Sequence, residues 1–177
     1  MSKKLITVGS ILGLSLGLTI SSASANGPLH CKGQHAFVNG NVTTYNISPT
    51  QQQGYINIVL TPPGGGDPIY SYNGGVISGE IQSQNGILSR IDHVISFAGD
   101  DGFTTNNDLA IMKLPPVSYE NGSPCAFDVF ESITKITGSG RFENAKGAIF
   151  AEGTISFCSY DSYQNNFTLR GMVCLDD

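Results

Sequence analysis

The sequence ITGSGRFENAKG, which runs from Ile136 to Gly147, lies between two stretches that are typical of β-strands. Both flanking stretches are rich in β-branched and aromatic residues, which favour extended backbone. Three glycines, Gly138, Gly140 and Gly147, allow positive φ angles at which a side chain would clash. The stretch therefore predicts a tight reversal between two antiparallel strands.

The rest of the chain repeats this strand pattern and shows no helical periodicity. Apolar residues alternate with polar ones and are bounded by Gly, Pro or Asn. The Pro/Gly-rich segments Thr61–Pro68 and Leu114–Pro124 are predicted to be loops. Eight antiparallel strands indicate a sandwich or a closed barrel. The predicted strands are Leu29–Val38, Asn41–Ile47 (either separate from Tyr55–Leu60 or continuous with it), Gly75–Gln84, Ile87–Phe97, Phe103–Lys113, Cys125–Thr137, Ala148–Phe157 and Phe167–Leu175.

Residues 1–25 have the composition of a signal peptide. Two lysines precede the apolar run Leu5–Ile20, and the small residues Ala23-Ser24-Ala25 form a cleavage site. Glycines and serines interrupt the apolar run, which argues against a membrane anchor. We expect cleavage after Ala25, a periplasmic or secreted product, and a single domain formed by residues 26–177.

The charge of the chain excludes one class of partner. The sequence contains 9 basic and 14 acidic residues. Removing the predicted leader takes away two lysines, which leaves 7 basic against 14 acidic residues and a net charge of −7. A mildly acidic chain without a basic cluster is a poor ligand for nucleic acid.

Four cysteines, Cys31, Cys125, Cys158 and Cys174, lie in the mature chain. An even number of cysteines in an exported protein predicts two disulfides. A metal site is the alternative for these residues, but the C-x-x-C and paired Cys/His spacings of zinc sites are absent. The oxygen-rich stretch Asp100–Asp108 also lacks the spacing of an EF-hand and is predicted to be a polar hairpin loop. The sequence thus predicts no metal site and no cofactor.

The segment Thr137–Phe142, with Ala145, Gly147 and Gly153-Thr154, resembles the G-G-T-G-R-F-x-x-A-x-G…G-T pattern of the allene oxide cyclase and dirigent barrel superfamily. The likeness is greatest to small secreted bacterial members with an allene oxide cyclase-like domain. The stretch Ile91–Gly102 is similar to the strand pair upstream of that pattern. The resemblance covers about the second half of the chain, and Ser139 departs from the family pattern.

This resemblance implies an all-β fold, an eight-stranded antiparallel up-and-down β-barrel with a central apolar pocket, often assembled as a trimer. Plant relatives shape a reactive intermediate, either by cyclising an allene oxide or by guiding the coupling of phenol radicals. The motif itself is interpreted as architectural. Its glycines would form the turn, Phe142 would plug a barrel end, and Arg141 would pair with a carboxylate.

In such a barrel, two arguments about the disulfides conflict. Topology places Cys125 with Cys158 at one end and Cys31 with Cys174 where the barrel closes. Strict alternation instead places Cys158 and Cys174 on one face and the other two cysteines on the opposite face. Because bulges shift alternation easily, we prefer the topological pairing.

Alternation also predicts which side chains point into the barrel. The inward polar candidates are His35, His93, Glu131 and Lys135, and the apolar pocket candidates are Phe97, Phe127 and Ile155. A buried Glu near a buried His could act as a general acid/base pair. The structural alternatives are a satisfied polar pair, or a register slip that puts both groups in solvent.

Three functions are consistent with these observations, and whether the protein is an enzyme stays open. The first is an exported barrel that binds a small apolar ligand. The second is an isomerase or cyclase that shapes a reactive lipid or phenolic intermediate. The third is a secreted scaffold or host-interaction protein without a ligand. A fold alone does not choose among them, because function depends on sites.

Overall fold

The structure, a computed structural model, describes residues 32–118, 124–156 and 164–176. The predicted signal peptide 1–25, the start of the first predicted strand at Leu29, and both Cys31 and Cys158 lie outside the described residues. The strands are β1 (Gln34–Asn46), β2 (Gln51–Thr61), β3 (Tyr70–Asn85), β4 (Leu88–Ser96), β5 (Gly102–Ser118), β6 (Pro124–Ile133), β7 (Ile136–Ser139), β8 (Lys146–Ser156) and β9 (Gln164–Leu175). One short 3₁₀ helix, η1 (Gly140–Phe142), follows β7.

Eight of these strands close into an antiparallel barrel. Each strand pairs with the next, in the order β1, β2, β3, β4, β5, β6, β8 and β9, and β9 pairs with β1 to complete the ring. The predicted eight-stranded up-and-down barrel is therefore confirmed. The short strand β7 pairs with the first residues of β5, beside the stretch of β5 that pairs with β6. Within the described ranges, no helix is long and apolar enough to cross a membrane.

The reversal predicted around Ile136–Gly147 is confirmed, because β6 and β8 are paired neighbours. Gly140 has a φ of 57°, in the left-handed region that favours glycine, whereas Gly138 does not adopt a positive φ. The segment is more than a turn, since it also contains β7 and η1. The predicted sixth strand is accordingly divided, with Lys135 exposed between β6 and β7.

Two predicted boundaries are wrong. The chain does not break near Gly40, and β1 runs without interruption from Gln34 to Asn46, after which Ser48 Oγ accepts backbone N–H bonds in the turn to β2. The predicted loop Leu114–Pro124 is also shorter than expected, because β5 continues to Ser118. The pairing of β5 with β6 is irregular between Lys113 and Val117, which accommodates prolines that cannot donate ladder hydrogen bonds.

Aromatic side chains fill one end of the barrel, where β3 and β5 begin and β7 ends. The Phe142 ring is buried against three other aromatic rings. Its centroid lies 5.6 Å from that of Tyr72, 5.7 Å from that of Phe97 and 5.1 Å from that of Phe103. Arg141 forms an ion pair with Asp101 at 3.7 Å. The architectural interpretation of the motif is confirmed in both respects, since Phe142 plugs the barrel end and Arg141 pairs with a carboxylate.

A polar network lies near the opposite end of the barrel. The buried Asn165 of β9 donates from Nδ2 to Thr44 Oγ1 at 3.1 Å and to Asn46 Oδ1 at 2.8 Å. Thr44 in turn donates to Gln52 Oε1 at 2.6 Å. Since the network joins β1, β2 and β9, it stabilises the barrel where its first and last strands meet.

Candidate functional site

A β-bulge in β5 determines which of its polar side chains face inward. Ile91 of β4 faces Asp108 and His93 faces Thr105, so the single residue Asp92 lies opposite Asn106 and Asn107. Asn107 has a φ of 56°. Its backbone N–H donates to Asp92 Oδ1 at 2.7 Å. The extra residue is therefore a bulge of defined geometry.

The bulge turns two polar residues into the barrel. In a regular strand, Thr105 and Asp108 would lie on opposite faces because they are three positions apart. In β5 both are buried, whereas Asn106 and Asn107 are exposed. Asn106–Asp108 thus lies within a strand, and the predicted polar hairpin loop over Asp100–Asp108 is wrong for this part. The connection from β4 to β5 ends before Gly102.

Three oxygen atoms surround one nitrogen of His93. His93 Nδ1 lies 3.2 Å from Asp108 Oδ2, 3.3 Å from Thr105 Oγ1 and 3.5 Å from Glu131 Oε1. The Thr105 hydroxyl also donates to Asp108 Oδ2 and accepts the backbone N–H of His93 at 3.1 Å. All four side chains are buried. We call His93, Asp108 and Glu131 the buried triad.

Each member of the triad comes from a different strand. His93 lies on the inward face of β4 with Ile91 and Ile95, and Glu131 lies on the inward face of β6 with Val129 and Ile133. The strand β5 lies between them and contributes Asp108. Neighbouring inward positions of adjacent strands bring side chains into contact across a sheet.

The imidazole ring of His93 also needs room beside the neighbouring strand β3. Gly79 is directly opposite His93 in the β3–β4 pairing. A Cβ at Gly79 would lie 2.9 Å from His93 Cδ2 and 3.0 Å from Nε2. Such distances are too short for ordinary packing, so the glycine provides the room that the imidazole ring occupies.

Burial and mutual charge shift the proton affinities of the triad. Burial raises the pKa of Glu131, and the neighbouring His93 only partly opposes this effect. For His93, burial works against protonation, but Glu131 and Asp108 outweigh it and raise the pKa of the imidazole. His93 and Glu131 therefore hold a proton more readily than the isolated groups would.

Buried oxygens on the inward faces of β4, β5 and β6 lack hydrogen-bond partners. Asp108 Oδ1, Glu131 Oε1 and Ser89 Oγ are buried atoms without a hydrogen bond. Ser89 lies on the same inward face of β4 as His93. Unpaired buried polar atoms are rare and costly, commonly by about 1–3 kcal/mol each. These three atoms therefore indicate that the interior can accept an additional polar or charged group.

A small cavity borders the triad. Its volume is about 30 Å³, measured as the space open to the centre of a water molecule. His93 and Glu131 form part of its wall, together with Thr44 and Gln52 from the polar network. The remaining wall is apolar and includes Ile56, Ile77, Ile95, Phe103, Ile149 and Leu169. The cavity therefore has one polar side and one apolar side.

The structure brings together only two of the sequence-predicted pocket residues, His93 and Glu131. Phe97 is buried in the aromatic end, Ile155 is buried in the core away from the cavity wall, and Phe127 is only partly buried. The inward orientation expected for His35 is wrong. His35 is half-buried, and alternation places it on the face of β1 opposite the buried Ala36 and Val38.

The inward orientation expected for Lys135 is also wrong, because Lys135 is exposed after β6 ends. Conversely, sequence reasoning missed Thr105 and Asp108. The signal that could have found them is the Asn106-Asn107 pair inside a strand pattern, since Asn tolerates the left-handed conformation that Asn107 adopts in this bulge.

The fold and site together define a closed eight-stranded antiparallel barrel with a buried His/Asp/Glu triad beside a small interior cavity. Comparison with protein-family models, curated proteins and solved structures finds no match to this chain. The geometry of the chain itself therefore carries the functional argument.

Proposed function

We propose that this protein is an exported binding protein whose barrel interior holds a small guest against His93 and Glu131. The observation that carries the proposal is the cavity with those two side chains in an otherwise largely apolar wall. Ligand sites in proteins commonly combine an apolar lining with a few polar groups that fix orientation. A guest with a compact apolar body and one polar group matches both sides of the cavity.

The size of the cavity limits the guest. A volume of 30 Å³ on this measure has room for about two water-sized spheres, each needing about 10–15 Å³. Pockets for drug-sized ligands are about 300–1,000 Å³. A long-chain lipid would need the barrel to expand, so the proposal favours a guest of a few heavy atoms.

A second candidate function is supported by the same contact. His93 Nδ1 and Glu131 Oε1 lie 3.5 Å apart, and both side chains line the cavity. Such a pair can take a proton from a bound molecule and return it at another atom, which is the chemistry of an isomerase. This candidate agrees with the enzymatic activities that the resemblance to allene oxide cyclase-like barrels implies.

The positions of the described cysteines support an exported, disulfide-linked barrel. Cys125 lies at the start of β6, where the neighbouring Ala126 faces Ser156 at the end of β8. Cys174 faces Lys146 at the other end of β8. These two cysteines therefore lie at opposite ends of the barrel. Neither of them is a free thiol.

Chain length then favours one pairing. Lys146 and Ser156 are ten positions apart on β8, about 33 Å along a strand. Cys158 is two positions beyond Ser156 and Cys31 is three positions before Gln34, and each position spans at most about 3.6 Å. The proposed disulfides are accordingly Cys125–Cys158 and Cys31–Cys174.

Native mass spectrometry of protein purified from its own host tests the binding function. We expect the wild-type chain to carry the added mass of a small guest. In Glu131→Gln, a smaller fraction of the protein should carry it, because the substitution removes the carboxylate at the cavity wall. The exposed Glu152→Gln is the matched control and should retain the mass. A trimer, as the resemblance implies, would appear in the same spectra.

Two outcomes would contradict the binding proposal. One is a bare polypeptide mass in every sample, including samples incubated with small aldehydes, ketones and carboxylic acids. The other is an added mass that both variants keep equally, because the guest would then lie away from Glu131. A fatty-acid probe serves as the size test, and we expect it to bind no more tightly to the wild type than to Glu131→Gln.

A further inference from the structure

We propose that the buried triad of His93, Asp108 and Glu131 is a binding site for one divalent transition-metal cation of the Zn²⁺ class. This inference goes beyond the proposed function, because the cation needs no organic guest. The triad offers one imidazole nitrogen and two carboxylates, and these ligand atoms all lie within 4.8 Å of one another. Sequence spacing does not reveal the set, since its members come from three strands and one is turned inward by a bulge.

Two of the three distances between the ligand atoms match a coordination shell. Zinc binds nitrogen at about 2.0–2.1 Å and carboxylate oxygen at about 2.0–2.2 Å, usually in tetrahedral geometry. Two ligands of a tetrahedral ion at such distances are about 3.4 Å apart. His93 Nδ1 lies 3.2 Å from Asp108 Oδ2 and 3.5 Å from Glu131 Oε1. The two carboxylates lie within 4.8 Å of each other, and they would move toward each other to hold one ion between them.

Hydrogen bonding alone does not satisfy the triad. A neutral imidazole nitrogen carries at most one proton and can donate one good hydrogen bond. Three oxygens converge on His93 Nδ1, and one of them, Glu131 Oε1, lies 3.5 Å away without forming a hydrogen bond. Asp108 Oδ1 has no hydrogen-bond partner either. Both carboxylate side chains are more than nine-tenths buried. A metal cation can accept one lone pair from the imidazole and one from each carboxylate at once.

The charge balance of the interior points the same way. Among the described residues, His93 is the only basic side chain that pairs with either carboxylate. Other ion pairs lie elsewhere, between Lys113 and Glu152 and between Arg141 and Asp101. Buried charges are costly unless they are paired or bind a metal. A divalent cation would neutralise two buried carboxylates.

Thr105 orients the proposed ligands. Its hydroxyl donates to Asp108 Oδ2 and accepts the backbone N–H of His93. Groups that hydrogen-bond to metal ligands fix their direction and commonly change metal affinity 10–100-fold. Thr105 therefore holds two members of the triad in place without being a ligand.

The ligand set indicates the class of metal. Calcium takes about 6–8 oxygen ligands, which the triad does not supply, whereas imidazole suits Zn²⁺, Co²⁺ and related ions. Three protein ligands leave a coordination position open, and the adjoining cavity has room for water there. Catalytic zinc sites keep such an open position for water or substrate, whereas structural zinc sites do not.

Titration of the chelator-stripped, disulfide-intact protein with Co²⁺ and Zn²⁺ tests the site. We expect one equivalent of each ion to bind, with Co²⁺ giving the visible absorption of a low-coordinate site and Zn²⁺ raising the melting temperature. Asp108→Asn and Glu131→Gln should each weaken Zn²⁺ binding at least tenfold. Glu152→Gln should not change it, because this carboxylate lies on the outer surface with Lys113.

Equal Zn²⁺ affinity in the wild type and in both triad variants would overturn the proposal, as would the absence of binding. If the variants do not fold, the anomalous diffraction of zinc in crystals of the zinc-loaded wild type decides instead. One nitrogen and two carboxylates bound to zinc support the site, and any other protein ligand set contradicts it. If the stripped protein keeps a small organic mass but binds no Zn²⁺, the binding function is supported and the metal site is overturned.

Discussion

His93 Nδ1 and Asp108 Oδ2 lie 3.2 Å apart on neighbouring strands only because β5 carries one extra residue between Thr105 and Asp108. Without that residue, alternation would turn the carboxylate of Asp108 toward solvent. The bulge therefore builds the triad. It depends in turn on Asn107, which occupies the left-handed backbone region.

Replacing Asn107 separates the backbone effect from the side-chain effect. Asn107→Ala and Asn107→Gly remove the same amide, but only alanine is strained at a φ of 56°. We expect Asn107→Ala to lower the free energy of unfolding by about 1–2 kcal/mol relative to Asn107→Gly. Urea denaturation measures the difference. Equal stability of the two variants would show that the bulge does not require this conformation.

The aromatic end of the barrel should contribute strongly to stability. Phe142 is buried and contacts three other rings, so Phe142→Ala should cost about 3–5 kcal/mol. Phe150 is 40% exposed on the outer surface, where it stacks on Phe130. Phe150→Ala should cost about 1 kcal/mol. Similar losses for both variants in chemical denaturation would contradict the role of Phe142 as a plug.

Tyr72 should give the barrel a pH-dependent stability at alkaline pH. Burial raises the pKa of Tyr72 above its ordinary value of 10.0, and its hydroxyl donates to Asp101 Oδ2 at 3.0 Å. A group whose pKa is higher in the folded chain stabilises folding while it is protonated. The contribution is therefore complete below pH 10.0 and is lost as the pH rises through the folded-state pKa.

Urea midpoints between about pH 9 and about pH 11 measure this effect. Tyr72→Phe should flatten the alkaline part of the profile. Tyr55→Phe is the control, because Tyr55 is 62% exposed and its replacement should leave the profile unchanged. An unchanged profile in Tyr72→Phe would assign the alkaline loss to other groups.

The disulfide pairing is tested by peptide mapping without reduction. We expect one linked peptide pair with Cys125 and Cys158 and another with Cys31 and Cys174. Cys125 and Cys174 lie at opposite ends of the barrel, and the chain length lets each of the other two cysteines reach one of them. Each bond should add about 2–4 kcal/mol to the stability. A linked pair with Cys158 and Cys174 would mean that the barrel ends have been assigned incorrectly.

Much of the fold follows from alternation in the sequence. The inward face of β4, with Ser89, Ile91, His93 and Ile95, was predictable because that strand is regular. Turn residues marked the reversal around Gly140 and the loop after Thr61. These features depend on local conformation, which sequence patterns report directly.

The rest depends on irregularities that alternation does not encode. The bulge at Asn106-Asn107 places the side chain of Asp108 on the inward face of β5. Because β6 ends at Ile133, alternation no longer applies to Lys135, which is exposed. Strand ends and bulges are decided by pairing with neighbouring strands, which a single segment does not contain. His93 and Glu131 were therefore predictable from the sequence, whereas Asp108 was not.

The most direct test of an interior site is a crystal structure of the protein purified from its own host, at a resolution that shows bound small molecules. The account predicts density for a guest or ion within hydrogen-bond or coordination distance of His93 and Glu131. A triad contacted only by protein atoms, with any bound molecule on the outer surface of the barrel, would contradict it.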